Sequence, residues 1–224
     1  MSVRQSYKQT DIGKLPKDWD VKSVKEVCSK PQYGYTKSAS MEPIGPKFLR
    51  ITDIRTGNVN WDEVPYCKCP QEIVPKYELH SGDILFARTG STGNSYLVHE
   101  CPEAIFASYL IRLRVNESIN PQYLFYFFNS DQYWKQIQQK RVGSIQTGIN
   151  ASLLSSIKLP VPTLLEQHKI ASVLSTVDEA IQKTDEAIGK AEMLKRGLMQ
   201  GLLTRGIGHT EFKETKVGKI PAEW

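Results

Sequence analysis

The sequence predicts an α+β protein, in which a β-rich globular domain is followed by one long α-helix that forms a coiled coil with a partner helix. Residues 21–115 contain short β-branched and aromatic runs separated by Gly, Asn and Pro, as expected of strands and turns. Residues 163–205 instead repeat apolar residues at helical spacing. The predicted organisation is a domain at 1–160, a helix at 161–206 and a terminal segment at 207–224.

The long helix carries the clearest periodicity in the chain. Thr163 and Glu166 form a capping-box pattern directly after two prolines, and Gly206 suits the left-handed position that closes a helix. The apolar residues between them alternate steps of four and three, with polar residues in two gaps, which is a heptad seam. They are Ile170, Leu174, Val177, Ile181, Ile188, Ala191 and Leu198. The seam predicts a partner helix from a second copy of the chain or from another subunit; the alternative is a core helix packed on its own domain.

The front part of the chain supplies the predicted sheet. The runs rich in β-branched and aromatic residues lie at 47–53, 84–87, 95–98, 104–107 and 109–115, and the last alternates between apolar and polar residues. Asn120 and Pro121 have the preferences of an N-cap and a first helical residue, so a helix is expected at 121–138. Its inward residues are predicted to be Leu124, Phe127, Phe128, Trp134 and Ile137.

A twelve-residue segment occurs twice, with an offset of 205 residues. Residues 8–19 and 213–224 align without a gap, and six of the twelve positions are identical, among them Gly13, Pro16 and Trp19 of the first copy. We interpret the second copy as the start of another unit of the same kind, so that the complete architecture is a tandem of two units. The alternative is that the second segment docks where the first one does.

Composition and charge limit the class of protein. The formal net charge is +5, and all of this excess lies in residues 1–160, because 161–224 contain nine basic and nine acidic residues. A basic domain suits a polyanion, and a neutral helix suits a protein partner. Without an apolar run of about 18 residues or an apolar leader, the sequence predicts no membrane association and a cytoplasmic location. Four scattered cysteines predict reduced thiols rather than disulfides or a metal site.

Motifs for catalysis are missing from the sequence. The Gly90–Gly93 loop lacks the lysine and the spacing of a phosphate-binding loop, and neither a dinucleotide-binding glycine pattern nor a methyltransferase catalytic loop is present. Two carboxylate-x-lysine matches of a nuclease type, at 20–22 and 214–216, are short enough to arise by chance, and the four histidines are dispersed. The chain is therefore predicted not to be an enzyme, and to use no cofactor and no metal.

Three polar stretches of the basic domain carry side chains that bind nucleic acids. They lie at 32–38, 88–94 and 140–148. Arg can bond guanine through two donors, Asn and Gln can bond adenine, and Ser, Thr and glycine amides can hold phosphate. One such stretch is typical of an ordinary surface turn, but three on one basic domain favour DNA. The predicted DNA-binding residues are Tyr33, Tyr35, Lys37, Arg88, Thr89, Ser91, Thr92, Asn94, Lys140, Arg141, Ser144, Gln146 and Thr147.

Several of these segments together resemble the DNA-specificity subunit of type I restriction–modification systems, over residues 8–224. The motifs that carry the resemblance are Gly13-x-Leu15-Pro16-x-x-Trp19, Gly82-Asp83-Ile84-Leu85 with Gly90 and Gly93 behind it, Pro121-x-Tyr123-Leu124, and Leu159-Pro160-x-Pro162-x-x-x-Glu166-Gln167-x-x-Ile170. The last of these motifs is the most specific. Base-contacting residues cannot be transferred from the family, because its recognition loops vary.

The resemblance implies a non-catalytic subunit in which two target-recognition domains each read one half of a split site on double-stranded DNA. Two antiparallel helices set the distance between the domains. It also implies docking to methylation subunits, which use S-adenosylmethionine, and through them to restriction subunits. This sequence holds one domain and one helix, and a homodimer through residues 163–205 would restore a two-part reader.

Two other functions are compatible with the same residues. A basic domain with a coiled-coil helix could be a protein-interaction scaffold that binds an acidic protein and is not specific for DNA. The chain could also be a nuclease or methyltransferase with an unrecognised site. Affinity for duplex DNA that falls steeply with salt separates DNA recognition from the scaffold, because released counterions set that slope. Turnover with S-adenosylmethionine or Mg²⁺ would identify an enzyme.

Overall fold

The computed structural model describes residues 6–55, 57–89, 93–141, 148–216 and 218–224, with Arg141 as backbone only. The chain divides into two units, Met1–Ser172 and Val173–Trp224. The first unit holds the buried core. The second consists of most of the long helix and a hairpin that follows it. The prediction of an α+β protein with a β-rich domain and one long helix is confirmed.

The first unit is built mainly from short strands. In the described residues these are β1 (Tyr7–Thr10), β2 (Gly13–Pro16), β3 (Asp20–Ser23), β4 (Gln32–Tyr33), β5 (Lys47–Leu49), β6 (Ile54–Arg55), β7 (Asn58–Val59), β8 (Ile84–Ala87), β9 (Ser95–Leu97), β10 (Ala104–Phe106), β11 (Leu110–Leu113) and β12 (Lys158–Val161). Its helices are α1 (Val24–Val27), α2 (Val74–Tyr77), α3 (Pro121–Phe128), α4 (Asp131–Arg141) and α5 (Ala151–Ser155). The long helix α6 (Leu164–Arg205) begins in this unit and continues into the second, where β13 (Phe212–Thr215) and β14 (Gly218–Pro221) form the hairpin.

The largest sheet has the strand order β4-β11-β8-β9, and all its pairs are antiparallel. Its two central strands, β8 and β11, are buried at every residue. The predicted strand at 84–87 is therefore confirmed, whereas the predicted alternation of buried and exposed residues along 109–115 is wrong. Strand β11 is covered on both faces, and Arg112 can lie inside because the Asp83 carboxylate is 3.7 Å away.

Two predicted elements are shorter than expected. The strand expected at 47–53 ends at Leu49, because Arg50 and Asp53 close a 3₁₀ turn. The Arg50 amide donates to Asp53 Oδ2 at 2.8 Å, and its guanidinium donates to Oδ1 at 2.7 Å. Local side-chain bonds of this kind compete with the ladder of a sheet.

The helix expected at 121–138 is two helices, α3 and α4, with a break at Asn129 and Ser130. The Asn129 side-chain amide donates to the Phe125 carbonyl at 2.8 Å, and the Ser130 hydroxyl donates to the Phe127 carbonyl at 2.7 Å. These bonds take carbonyls that a continuous helix would use. The predicted inward residues are buried except for the partly buried Trp134. Prediction from the sequence missed Tyr133, which is fully buried.

The start of α6 is anchored on its own domain. The buried Gln167 side chain accepts a hydrogen bond from the Asn120 backbone N–H at 2.7 Å and donates one to the Pro162 carbonyl at 2.9 Å. Glu166, expected to complete a capping box, accepts the Trp19 indole N–H at 3.1 Å. Ile170 packs against the main core. Most of the Leu159–Ile170 motif, which resembles the specificity family, is thus explained by contacts that hold the start of α6 on its own domain.

In the second unit, α6 is exposed along its length. The apolar residues Leu174, Val177, Ile181, Ile188 and Leu198 have between 39% and 56% of their surface exposed. Gly206 has a φ of +64° and ends the helix as predicted. None of the helices in the described residues is long and apolar enough to cross a membrane.

Candidate nucleic-acid interface

The last residues of strands β4 and β8 lie close together at one end of the large sheet, and we call the surface formed there the exposed edge. Tyr33 lies on β4, and Arg88 follows β8. The Arg88 guanidinium carbon is 4.8 Å from the centroid of the Tyr33 ring, which is a cation–π contact. The Tyr33 hydroxyl accepts the backbone N–H of Ala151 at 3.1 Å. Tyr33 therefore joins the stretch that begins at Arg88 to the first turn of α5.

The described ends of two predicted DNA-binding loops are in contact. A Cβ on Gly148 would lie 3.1 Å from the Arg88 carbonyl oxygen. Gly93 has a φ of +98°, and a Cβ there would lie 2.8 Å from Ile149 and 2.9 Å from Trp134. A side chain at Gly93 would force these groups apart, so glycine is needed for close packing as well as for its backbone angle. The structure thus brings together stretches that lie about 50 residues apart in the sequence.

The predicted residues divide into three groups by position. Arg88, Thr89, Asn94 and Lys140 are exposed, and Tyr33 is 38% exposed. Tyr35 packs instead on Tyr77, with ring centroids 5.3 Å apart, beside a separate buried cluster, and Lys37 is exposed on the same segment. The third group lies outside the described residues, and it consists of Ser91, Thr92, Ser144, Gln146, Thr147 and the Arg141 side chain.

Tyr109 is a candidate at this edge that prediction from the sequence missed. Its side chain is 56% exposed, and its carbonyl accepts the Arg88 amide at 2.9 Å. The sequence predicts Tyr109 inside a strand, where an aromatic residue is ordinary. An exposed aromatic ring beside an arginine can stack on a base or a sugar. No local sequence pattern separates Tyr109 from the strand that follows it, and only the start of β11 at Leu110 in the structure places Tyr109 outside that strand.

Two other arginines are used inside the domain. Asp83, which is 1% exposed, accepts from Arg114 Nε at 2.7 Å and from a second Arg114 nitrogen at 2.8 Å. This hydrogen bonding raises the pKa of Arg114. Burial lowers the pKa of Arg112, and the Asp83 carboxylate opposes that shift. Asp83 of the Gly82-Asp83 motif therefore pairs with Arg112 of β11 and with Arg114 just after it. The motif is not itself part of the exposed edge.

Two of the four cysteines, Cys28 and Cys67, are buried. All four cysteines are free. Burial raises the pKa of Cys28 to about 12 and that of Cys67 to about 11. Both thiols are therefore protonated near neutral pH and are poor nucleophiles.

The model of the family described as type I restriction modification DNA specificity domain matches residues 16–190. The chain belongs to this family. The putative type I restriction enzyme MjaX specificity subunit of Methanocaldococcus jannaschii is 32% identical over 230 residues, which cover 98% of this chain and 54% of that protein. The EcoKI specificity subunit of Escherichia coli is 22% identical over 200 residues, which cover 85% of this chain and 41% of that protein.

Solved structures show the same fold. The crystal structure of the HsdS subunit from Thermoanaerobacter tengcongensis has a TM-score of 0.60 at 20% identity, covering 84% of this chain and 44% of that one. A chain from a type I restriction–modification complex has a TM-score of 0.64 at 20% identity, covering 84% and 45%. This specificity-family chain spans about half the length of the relatives it matches. The prediction that the chain belongs to the specificity-subunit family is confirmed.

Proposed function

We propose that this chain is a target-recognition half of a type I specificity subunit, and that its first unit reads one half of a bipartite site on double-stranded DNA. The observation that carries the proposal is the convergence of Tyr33, Arg88 and residues 148–151 at one exposed edge. Such an edge presents cationic and amide side chains together, as base reading and phosphate contacts require.

The exposed residues have complementary chemistry toward DNA. Arg88 can donate two hydrogen bonds to guanine, Asn94 can pair with adenine, and Lys140 can neutralise a phosphate. The Tyr33 ring restricts the guanidinium of Arg88, which lowers the conformational entropy lost on binding. Arg112 and Arg114 are paired with Asp83, so we assign recognition to the exposed cations instead.

The decisive experiment compares Arg88→Ala with Arg55→Ala in binding to duplex DNA. Arg55 is a matched control, because its side chain is 78% exposed, it sits on the separate β6–β7 hairpin, and the charge change is the same. We expect Arg88→Ala to lose about 1–3 kcal/mol of binding free energy and to relax the sequence preference. Fluorescence anisotropy over a series of salt concentrations, followed by selection from random duplexes, measures both.

Equal losses in the two variants would show that only overall charge matters. An affinity that does not fall with salt would favour the protein-interaction scaffold instead, because counterion release accompanies every phosphate contact. Turnover of DNA by the purified chain with S-adenosylmethionine or Mg²⁺ would contradict a non-catalytic role.

We further propose that α6 pairs with a second helix of the same kind and that the specificity unit docks the methylation subunit, and through it the restriction subunit. The support is the exposed apolar seam from Leu174 to Leu198. Ile170 belongs to the domain core, so the available seam begins at Leu174. Leu194, Leu202 and Leu203 are also exposed and widen the apolar surface toward the C-terminal end of the helix.

Light scattering tests the pairing. We expect the purified chain to form a homodimer, and Ile181→Asp with Ile188→Asp to convert it to a monomer by burying charge in the seam. Lys183→Asp with Lys190→Asp is the control, since both lysines lie off the seam and are exposed. A wild-type monomer would rule out the homodimer, and co-purification with the methylation subunit of the same system would then test the remaining partner.

A further inference from the structure

Strand β4, which carries Tyr33, is short. It has two residues and lies at the edge of the sheet, where Gln32 pairs with Arg112 and Tyr33 pairs with Ile111. Backbone hydrogen bonds also hold the residues that follow, from the Gly34 nitrogen to the Leu110 carbonyl at 3.2 Å and from the Tyr35 nitrogen to the Phe106 carbonyl at 2.8 Å. The ladder of β4 itself is short, so contacts of the Gln32 side chain add to these bonds in fixing the position of the Tyr33 ring.

The Gln32 side chain supplies such contacts. Its Oε1 accepts from the Arg112 guanidinium, and its Nε2 donates to the Lys76 carbonyl at 2.9 Å. Arg112 is 7% exposed and is itself held in place, because it donates to the Glu78 carbonyl and lies 3.7 Å from the Asp83 carboxylate. Gln32 is thus tied to a fixed, buried charge through a charge-assisted hydrogen bond.

We propose that Gln32 is a positioning residue for DNA recognition, acting through Tyr33 on Arg88. By fixing β4, Gln32 sets the Tyr33 ring 4.8 Å from the Arg88 guanidinium carbon and its hydroxyl 3.1 Å from the Ala151 nitrogen. This inference rests on the proposed function, in which Arg88 contacts DNA. Gln32 contacts no DNA itself, because both ends of its amide are used inside the domain.

Loss of the Gln32 amide should loosen β4 without unfolding the domain. Arg112 would keep its bonds to the Lys76 and Glu78 carbonyls and its contact with Asp83. The buried arginine would therefore still be paired, which avoids the large penalty of an unpaired buried charge. The effect is expected at Tyr33 and Arg88 rather than in the core.

The test is a double-mutant cycle on the full chain with Gln32→Ala, Arg88→Ala and both together, in which anisotropy measures binding to the duplex that the wild-type chain selects from random sequences. We expect Arg88→Ala to weaken binding about tenfold and Gln32→Ala about threefold. The double variant should bind as Arg88→Ala does, because a residue that acts through Arg88 has nothing to add once Arg88 is gone. Gln32→Met, which keeps the length of the side chain, should match Gln32→Ala.

Asn116→Ala is the control, because Asn116 also ties two segments together, through a 3.0 Å bond to the Glu26 carbonyl, and should leave DNA binding unchanged. Independent losses that multiply in the double variant would overturn the proposal, as would wild-type affinity of Gln32→Ala. Hydrogen exchange at the Ala151 amide gives a readout without DNA. Faster exchange in Gln32→Ala supports the positioning role even if the wild type binds no DNA, and unchanged exchange overturns it.

Discussion

The two copies of the repeated segment form the same hairpin in different surroundings. In the first, Tyr7 pairs with Pro16 and Thr10 with Gly13; in the second, every partner is shifted by 205 residues. The Thr10 hydroxyl donates to the Gly13 carbonyl at 2.6 Å, and the equivalent bond of the second copy, from Thr215, is 2.7 Å long. The turn glycines have φ values of +120° and +105°. Local sequence is thus sufficient to specify the hairpin.

The neighbours of the two hairpins differ. Leu15 is buried and the Trp19 indole donates to Glu166 at 3.1 Å, whereas Ile220 is partly buried and Trp224 is 51% exposed. Trp224 instead lies edge-on to the His209 ring, with centroids 6.0 Å apart. The same twelve-residue pattern therefore anchors a domain in one place and presents an exposed aromatic side chain in the other.

The position equivalent to Asp11 differs in charge between the copies. Asp11 forms an ion pair with Lys158, but its counterpart is Lys216. A lysine in the first position would face Lys158 with the same charge. The second hairpin is therefore poorly suited to the place that the first one occupies, which argues against the alternative that both copies dock at the same surface.

The largest expected effect comes from the two tryptophans. Trp19→Ala should lower the free energy of unfolding of the first unit by about 2–3 kcal/mol, because it removes a partly buried ring and leaves Glu166 without the indole donor. Trp224→Ala should lower it by less than about 0.5 kcal/mol, as for an exposed side chain. Urea unfolding followed by tryptophan fluorescence measures the difference, since Trp61 and Trp134 of the first unit are present in both variants.

Trp19→Phe helps to separate the two contributions of Trp19, because it removes the N–H donor but keeps most of the aromatic ring. We expect it to lose about 1 kcal/mol. Similar losses for Trp19→Ala and Trp224→Ala would show that the environments of the hairpins are energetically equivalent, against the contrast in their contacts.

The smallest expected effect is at Asp11. Lys158, chiefly by hydrogen bonding, lowers the pKa of Asp11 below 3.8. A lowered folded-state pKa stabilises the fold above the unfolded-state pKa, and this stabilisation disappears as the pH falls through the folded-state value. Both side chains are 51% exposed, so Asp11→Asn should cost at most about 0.5 kcal/mol at neutral pH. Urea titrations at neutral and strongly acidic pH measure the cost, which should vanish in acid.

Asp11→Lys brings the residue of the second copy into the first hairpin and should cost somewhat more than Asp11→Asn, because two lysines then face each other. Lys216→Asp in the second hairpin is the control and should leave the unfolding of the first unit unchanged. If Asp11→Lys has no effect, the charge difference between the copies has no bearing on docking.

Periodic and motif-bearing segments were the parts of the fold that the sequence predicted well. The heptad spacing predicted a helix at 161–206 and the structure has α6 at Leu164–Arg205, because Val161 still belongs to β12. The Asn120-Pro121 pair predicted the start of α3. The break between α3 and α4 was missed, because Asn129 and Ser130 are tolerated in helices and only their bonds to nearby carbonyls show the interruption. The burial of both faces of β11 was also missed, since Arg112 gave it an amphipathic appearance.

For the candidate interface, the sequence supplied the residue types but not their grouping. Tyr33 and Tyr35 are equivalent by composition, yet only Tyr33 meets Arg88, whereas Tyr35 packs on Tyr77. Strand alternation would place residues two apart on the same face, but β4 ends at Tyr33 and Tyr35 instead bridges to Ala107, which only the tertiary structure shows. The role of Gln32 depends on Arg112, 80 residues away, which no local pattern could have linked to it.

The sequence by itself determined the hairpins, the long helix, the apolar seam and the family, because each is recorded in local periodicity, turn residues or a motif read along the chain. Only the tertiary structure decided that Asp83 pairs with the buried Arg112 and with Arg114 while Arg88 is exposed, and that Trp19 is anchored while Trp224 is not. The physical reason is that burial and ion pairing depend on which distant segments meet, and the hydrogen bonds and charges of a side chain acquire their roles only there.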